Sequence, residues 1–273
     1  MRALLVSPLG FLIGLSLGAL GGGGSILAVP VLVYAAGQDP RAATASSLLL
    51  VGTASLVGVV GHWRGGRVRV GTGVAFGLAG IGGSIVGSAV NKQLDPDVLL
   101  LGFAALVVVA AWRMLTGCPT CTQVGEEREL AAADAAGETT TLVRTRIDVR
   151  TVVTVLVAGT AVGFLTGLFG VGGGFIIVPA LALALKLPMP QAIGTSLLVI
   201  AINSAVALAA RATTTTIDWH VTIPFTIAAI LGVLTGARIA DRLDPDRSLR
   251  WFAGLLFAVA LYTAVRAGSA LLA

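Results

Sequence analysis

Acidic residues are scarce in this chain and missing from its apolar stretches. Aspartate and glutamate together number 13 in 273 residues. All of them lie outside the eight apolar runs near 3–37, 42–61, 70–90, 98–115, 151–187, 191–210, 219–237 and 249–271. A carboxylate relay of the kind found in proton pumps therefore has no carrier. No nucleotide-binding loop is present either, which excludes ATP drive within the chain. Charged residues make up 11%, against roughly a quarter in soluble globular chains, so no water-soluble domain of any size is encoded. With only two cysteines and two histidines, neither a disulfide framework nor a metal centre is expected.

What remains is apolar. Hydrophobic residues make up 56% and mean hydropathy is +0.96. The runs approach or exceed the roughly 20 residues that a hydrocarbon core near 30 Å requires. The chain reads as an all-α, multi-pass protein of a plasma membrane, and its alanine and arginine usage suggests a prokaryote. A net charge of +5 and a pI near 10.0 do not imply nucleic acid, because the arginines sit in short loops between runs, where they orient the protein by the positive-inside rule. The first run follows Arg2 as a secretory leader would. It continues uncharged to Gln38, well beyond the roughly 7 to 15 apolar residues of a leader, and is expected to be retained.

A repeat organises the runs. Residue n placed over residue n+149 needs no gap: Gly18 meets Gly167, Pro30 meets Pro179, Ser47 meets Ser196, and the LDPD at 94–97 meets the LDPD at 243–246. Twelve of the 32 positions from 18 to 49 are identical, and the register persists to Phe103 over Phe252. Two homologous four-element halves are therefore expected, 1–112 and 151–273, joined by a hydrophilic linker at 113–150. That linker holds Cys118 and Cys121 as CPTC, a spacing that suits a redox pair or half a metal site. With no second pair and no histidine beside it, the pair is expected to have no chemical role, and no cofactor or metal is expected.

Each half opens on a glycine cluster inside its most apolar stretch, GALGGGGSILAVP at 18–30 and GLFGVGGGFIIVP at 167–179. Glycine weakens a helix interior by roughly 1 kcal/mol relative to alanine. A continuous helix from 3 to 37 would also be about 50 Å long, too long for one upright crossing. The cluster is expected to break it. Broken helices at membrane depth are tolerated where the freed backbone groups are buried in protein or line a wet cavity. Gly21, Gly22, Gly23, Gly24 and Ser25, with Gly170, Gly172, Gly173 and Gly174, are then candidates to present amide N–H groups at the positive end of the next half-helix. Such a site holds an anion without a charged side chain. Close helix packing through small residues is the competing explanation.

These clusters, each followed after a short turn by a polar pair (ATASSLL at 43–49, AIGTSLL at 192–198), resemble the TauE/SafE family of sulfite exporters over nearly the whole chain. The resemblance implies a transporter of small anionic sulfur compounds, sulfite or organosulfonates, and leaves the individual substrate open. The halves differ in detail: Ser25 stands over Gly174, and Ser46 over Thr195.

Ser46, Ser47, Thr195 and Ser196 lie near the start of the second element of each half, where hydroxyls cap a helix or donate to an oxyanion with equal plausibility. Asn203 lies deeper in an apolar run, and a buried amide in lipid usually faces the bundle interior. These residues complete the candidate substrate site. His62 and His220 end and open their runs and are read as interfacial. A membrane scaffold without transport activity remains the alternative. An intramembrane enzyme fits worse, because no buried base accompanies the serines. If all eight runs crossed once, Arg64, Arg67 and Arg69 would face away from Arg238, Arg242, Arg247 and Arg250. If the first run of each half enters and returns at its glycine break, the halves are inverted. Those arginines and Arg113, Arg144, Arg146 and Arg150 then all face the cytoplasm, and this arrangement is preferred.

Overall fold

The structure, a computed structural model, describes residues 2–91, 93, 149–169, 174–185, 187, 189–211 and 217–240, with scattered positions of 102–112 and 254–261. The CPTC, nearly all of the linker, and Gly170, Gly172 and Gly173 lie outside the described residues.

The first apolar run breaks at its glycines. Helix α1 (Arg2–Leu20) stops at Gly21, whose φ of 77° is a left-handed value that a side chain rarely tolerates. A tight turn over Gly22–Gly24 leads into α2 (Ser25–Pro30), and a wide π turn follows over Val31–Ala35. Pro30 has no N–H to continue the ladder, which accounts for the change of winding just after it. The chain has doubled back. A methyl placed on Gly24 would overlap the carbonyl oxygen of Ile13 and approach the amide nitrogen of Leu17 at 3.0 Å, so α2 returns beside α1.

The remaining helices are α3 (Pro40–Arg64), α4 (Val70–Asn91), α5 (Val149–Phe169), α6 (Gly174–Leu183), α7 (Met189–Arg211) and α8 (Trp219–Ala240). Four of these, α3, α4, α7 and α8, are long and apolar enough to cross a membrane, and the described residues form no sheet. Polarity is arranged for lipid. Leu56, Leu78, Ile85 and Leu231 face outward, while Ser46, Ser55, Thr195, Ser196 and His62 are buried.

Small residues bring the helices into backbone contact. Methyls on Gly10, Gly14 and Gly18 of α1 would run into Phe225, Ala229 and Val233 of α8. Gly159, Gly163 and Gly167 of α5 meet Phe76, Gly80 and Ser84 of α4 in the same way. Each pair is related to the other by the offset of 149. Four-residue glycine spacing is how helices approach closely in lipid, where no hydrophobic force separates core from solvent.

The registers of these contacts fix helix direction. α1 and α8 run parallel, since 10, 14 and 18 pair in order with 225, 229 and 233. α3 is parallel to α8, through Ser46 with Thr222 and Gly58 with Val233. α4 is parallel to α5, and also to α7, through Gly73 with Thr195 and Gly77 with Ile202. α3 and α7 cross antiparallel, Gly52 meeting Ser204 and Gly58 meeting Leu197. α1, α3 and α4 therefore point opposite to α5, α7 and α8 respectively, which correspond to them at the offset. Arg64 and Arg238, in the last turns of the parallel helices α3 and α8, lie at one end of the bundle.

Candidate functional site

The break of the first half sits deep in the protein. Gly21 to Gly24 and Ser25 are all buried. The first N–H groups of a helical segment have no partner within it, and Gly21, in the cap position, has no side chain to supply one. Ser25 donates its hydroxyl to the Gly22 carbonyl at 2.7 Å, bracing that turn from inside.

Residues related by the offset meet here. A methyl on Gly174 would overlap Ser25 Oγ and lie 3.1 Å from the Gly22 carbonyl oxygen and 3.2 Å from Ile200 Cδ1. Ser25 and Gly174 stand over one another at the offset of 149, so α2 and α6 touch at offset-related positions, and only one of them carries a side chain there. The glycines of the cluster thus have different tasks. Gly24 allows close packing on α1, Gly174 makes room for Ser25, and Gly21 supplies the left-handed turn.

The four hydroxyls near the starts of α3 and α7 are all buried and divide by their bonds. Ser47 and Ser196 donate to carbonyls of their own helix, those of Thr44 and Ile193, both at 2.8 Å. Ser196 Oγ also lies 2.8 Å from where a Gly21 methyl would be, which puts it against the break. Ser46 and Thr195, which stand over one another at the offset, instead bond to groups outside their own helix. Thr222 Oγ1 gives its proton to the Asp218 carbonyl at 2.6 Å and accepts from Ser46 at 2.9 Å, and the Arg69 amide donates to Thr195 at 3.1 Å. The Thr195 proton has no acceptor among the described residues. Asn203 of α7 faces α4, its Nδ2 3.9 Å from a Gly80 methyl position, and its Oδ1 is buried with no hydrogen-bond partner among the described residues.

The histidines separate. His220 is exposed at the start of α8, where its amide donates to Asp218 at 3.1 Å. His62 is buried, at 2% exposure, which the reading of it as interfacial did not anticipate. Gln191, which accepts from Arg69 Nε at 2.7 Å, and Thr222 were likewise not singled out. Thr222 stands over Gly73 at the offset, and that correspondence with the Ser46/Thr195 pair was the available signal. Among the described residues no ionised side chain enters the break, so an anion held there would be held by backbone dipoles and hydroxyls.

A helix bundle with buried, re-entrant backbone and a polar interior is the construction of a multi-pass membrane transporter. The chain belongs to the TauE/SafE family: the family model described as "Sulfite exporter TauE/SafE" matches residues 6–263. It is 34% identical over 267 residues to a "Probable membrane transporter protein" of Xylella fastidiosa (strain 9a5c), covering 97% of this chain and 95% of the relative. It is 25% identical over 253 residues to "Probable membrane transporter protein YunE" of Bacillus subtilis (strain 168), covering 89% and 90%. An archaeal "Probable membrane transporter protein" from Methanocaldococcus jannaschii is 30% identical over 115 residues, covering 40% and 43%. No solved structure matches. Membership of a transporter family places the chain outside enzymes.

Proposed function

We propose that the protein exports a small sulfur-containing anion, sulfite or a sulfonate, bound at the amides exposed by the glycine breaks. The observation that carries this reading is the buried, uncapped turn at Gly22–Gly24, lying beside Ser196 with Ser25 set against Gly174. A hydrogen bond to a charged group contributes roughly 1.5 to 3 kcal/mol, so two or three amides suffice for useful affinity without a cation that would retain the substrate. Gly170, Gly172 and Gly173 are assigned the same role in the second half, and Ser46, Ser47, Thr195, Ser196 and Asn203 line the route. An inside-negative potential favours anion exit by about 2.3 kcal/mol per charge per 100 mV, so export needs neither ATP nor a carboxylate relay.

The same reading makes residues 1–112 and 151–273 inverted repeats about the 113–150 linker, rocking against each other for alternating access. Opposite directions of corresponding helices, and the Ser25 to Gly174 meeting, support it. Purified protein alone in proteoliposomes is expected to carry sulfite, thiosulfate or a sulfonate down an imposed potential. Absence of flux for all of these would leave the scaffold reading standing. Single cysteines placed at Arg67 and Arg238 are expected to be protected together from an impermeant reagent added to intact cells, both facing the cytoplasm. External labelling of only one of them contradicts the inverted arrangement.

A further inference from the structure

We propose that His62 positions the glycine break and ties anion affinity there to pH, an inference that rests on the anion reading above. Among the described residues it is the only buried titratable side chain. Its Nε2 lies 3.4 Å from the carbonyl oxygen of Gly18, three residues before Gly21. Its Cβ lies 3.1 Å from a Gly194 methyl position, the residue before Thr195. The side chain thus spans the two segments whose relative position defines the site, its Cβ against one and its ring nitrogen at the other.

The carbonyl it reaches belongs to the last turn of α1, where the break removes the usual N–H partners. The second half meets the same need differently. Gly167, the equivalent of Gly18, has its carbonyl 3.5 Å from Ser88 Oγ, a donor on α4. The residue corresponding to Ser88 is Ala237, which cannot donate, and His62 takes its place. A cation is favoured at a helix C-terminus, so the protonated ring holds α1 more firmly and adds a positive charge about one helical turn from the break.

Charged groups on the surrounding elements are few. Arg64 ends α3, Arg67 and Arg69 lie in the following turn, and Arg238 lies in the last turn of α8; Ser7–Leu20, the break and residues 190–209 of α7 carry none. The Arg67 amide donates to the His62 carbonyl at 3.0 Å, which fixes the backbone on which the ring is mounted. Binding of an anion beside this histidine therefore favours its protonation, and by linkage protonation favours the anion.

Thiosulfate, a dianion throughout the range in which histidine titrates, is the probe for full-length protein in detergent. Its affinity for the parent is expected to rise roughly tenfold between about pH 8.5 and about pH 5.5, an ordinary size of coupling between two groups. His62→Gln keeps a donor but cannot be protonated, and is expected to bind as the parent does at the alkaline end with no rise towards acid. His62→Leu should bind weakly at both ends; if it does not fold, the glutamine variant decides. A parental slope retained in His62→Gln, or no slope in the parent, overturns the role of His62 while leaving the anion site intact. Failure of the parent to bind thiosulfate, sulfite and sulfonates at any pH removes the anion reading and this inference with it.

Discussion

Gly163→Ala is expected to leave little folded protein in the membrane, while Gly82→Ala on the facing helix accumulates like the parent. A methyl on Gly163 would occupy the space of the Gly80 backbone, meeting its carbonyl oxygen, carbonyl carbon and Cα, whereas one on Gly82 meets nothing within 4 Å. Flexible side chains swing aside; backbone in a packed helix does not. The two helices must separate along their whole length, and the contacts of Gly159 and Gly167 on either side are lost with it. Overpacking typically costs 1 to 3 kcal/mol where side chains can adjust, and on the order of 3 kcal/mol or more is expected here. Gly14→Ala should be equally damaging, because its methyl runs into the backbone of Ala229 at the corresponding place. Fluorescence-detected size exclusion of the tagged variants measures this directly. A monodisperse Gly163→Ala peak at parental yield would show that the α4–α5 contact is not the close backbone packing described.

That packing marks the limit of what the amino-acid order discloses. The offset of 149, the apolar runs and the glycine clusters are visible because they are patterns along the chain. The break at Gly21 follows from them, since a run ending in four glycines cannot continue as a stable helix. Less visible is the division of labour among glycines. The spaced series Gly10, Gly14, Gly18 and Gly159, Gly163, Gly167 lies partly ahead of the clusters and does the helix packing, while Gly24, inside a cluster, also packs. Attention to the clusters alone merges two functions.

Rotational placement was hidden for a physical reason. In water, a helix shows its buried face by contrast between apolar and polar residues, but lipid is as apolar as the protein interior. Nothing in AIGTSLL indicates that Ser196 faces the break while Thr195 faces α4, nor that His62, one turn from the end of α3, turns inward to Gly18. Such residues are placed by contacts between helices far apart in sequence, as when the Arg69 amide reaches Thr195.

The exchange of Ser25 and Gly174 carries the repeat relationship into a measurable energy. Gly174→Ser alone places a side chain where Ser25 Oγ already stands, so both stability and transport are expected to fall, transport by roughly tenfold for about 1.4 kcal/mol of misplaced site. Ser25→Gly alone removes the bond that braces Gly22, a milder loss of roughly 1 kcal/mol. Together they transfer the hydroxyl from one repeat to the other. The remaining neighbours of the Gly174 position, the Gly22 carbonyl at 3.1 Å and Ile200 Cδ1 at 3.2 Å, need only a small adjustment. The double variant should therefore recover most of the stability lost in Gly174→Ser. Contacting residues commonly couple by 0.5 to 3 kcal/mol, and a favourable coupling in the upper part of that range is expected. Gly77→Ala, whose methyl would sit at an ordinary 3.5 Å from Ile202, serves as the mild control for added volume. Thermal unfolding and anion flux of the four members of the cycle give the coupling in two independent readouts. If the single losses simply add, α2 and α6 do not meet at Ser25 and Gly174.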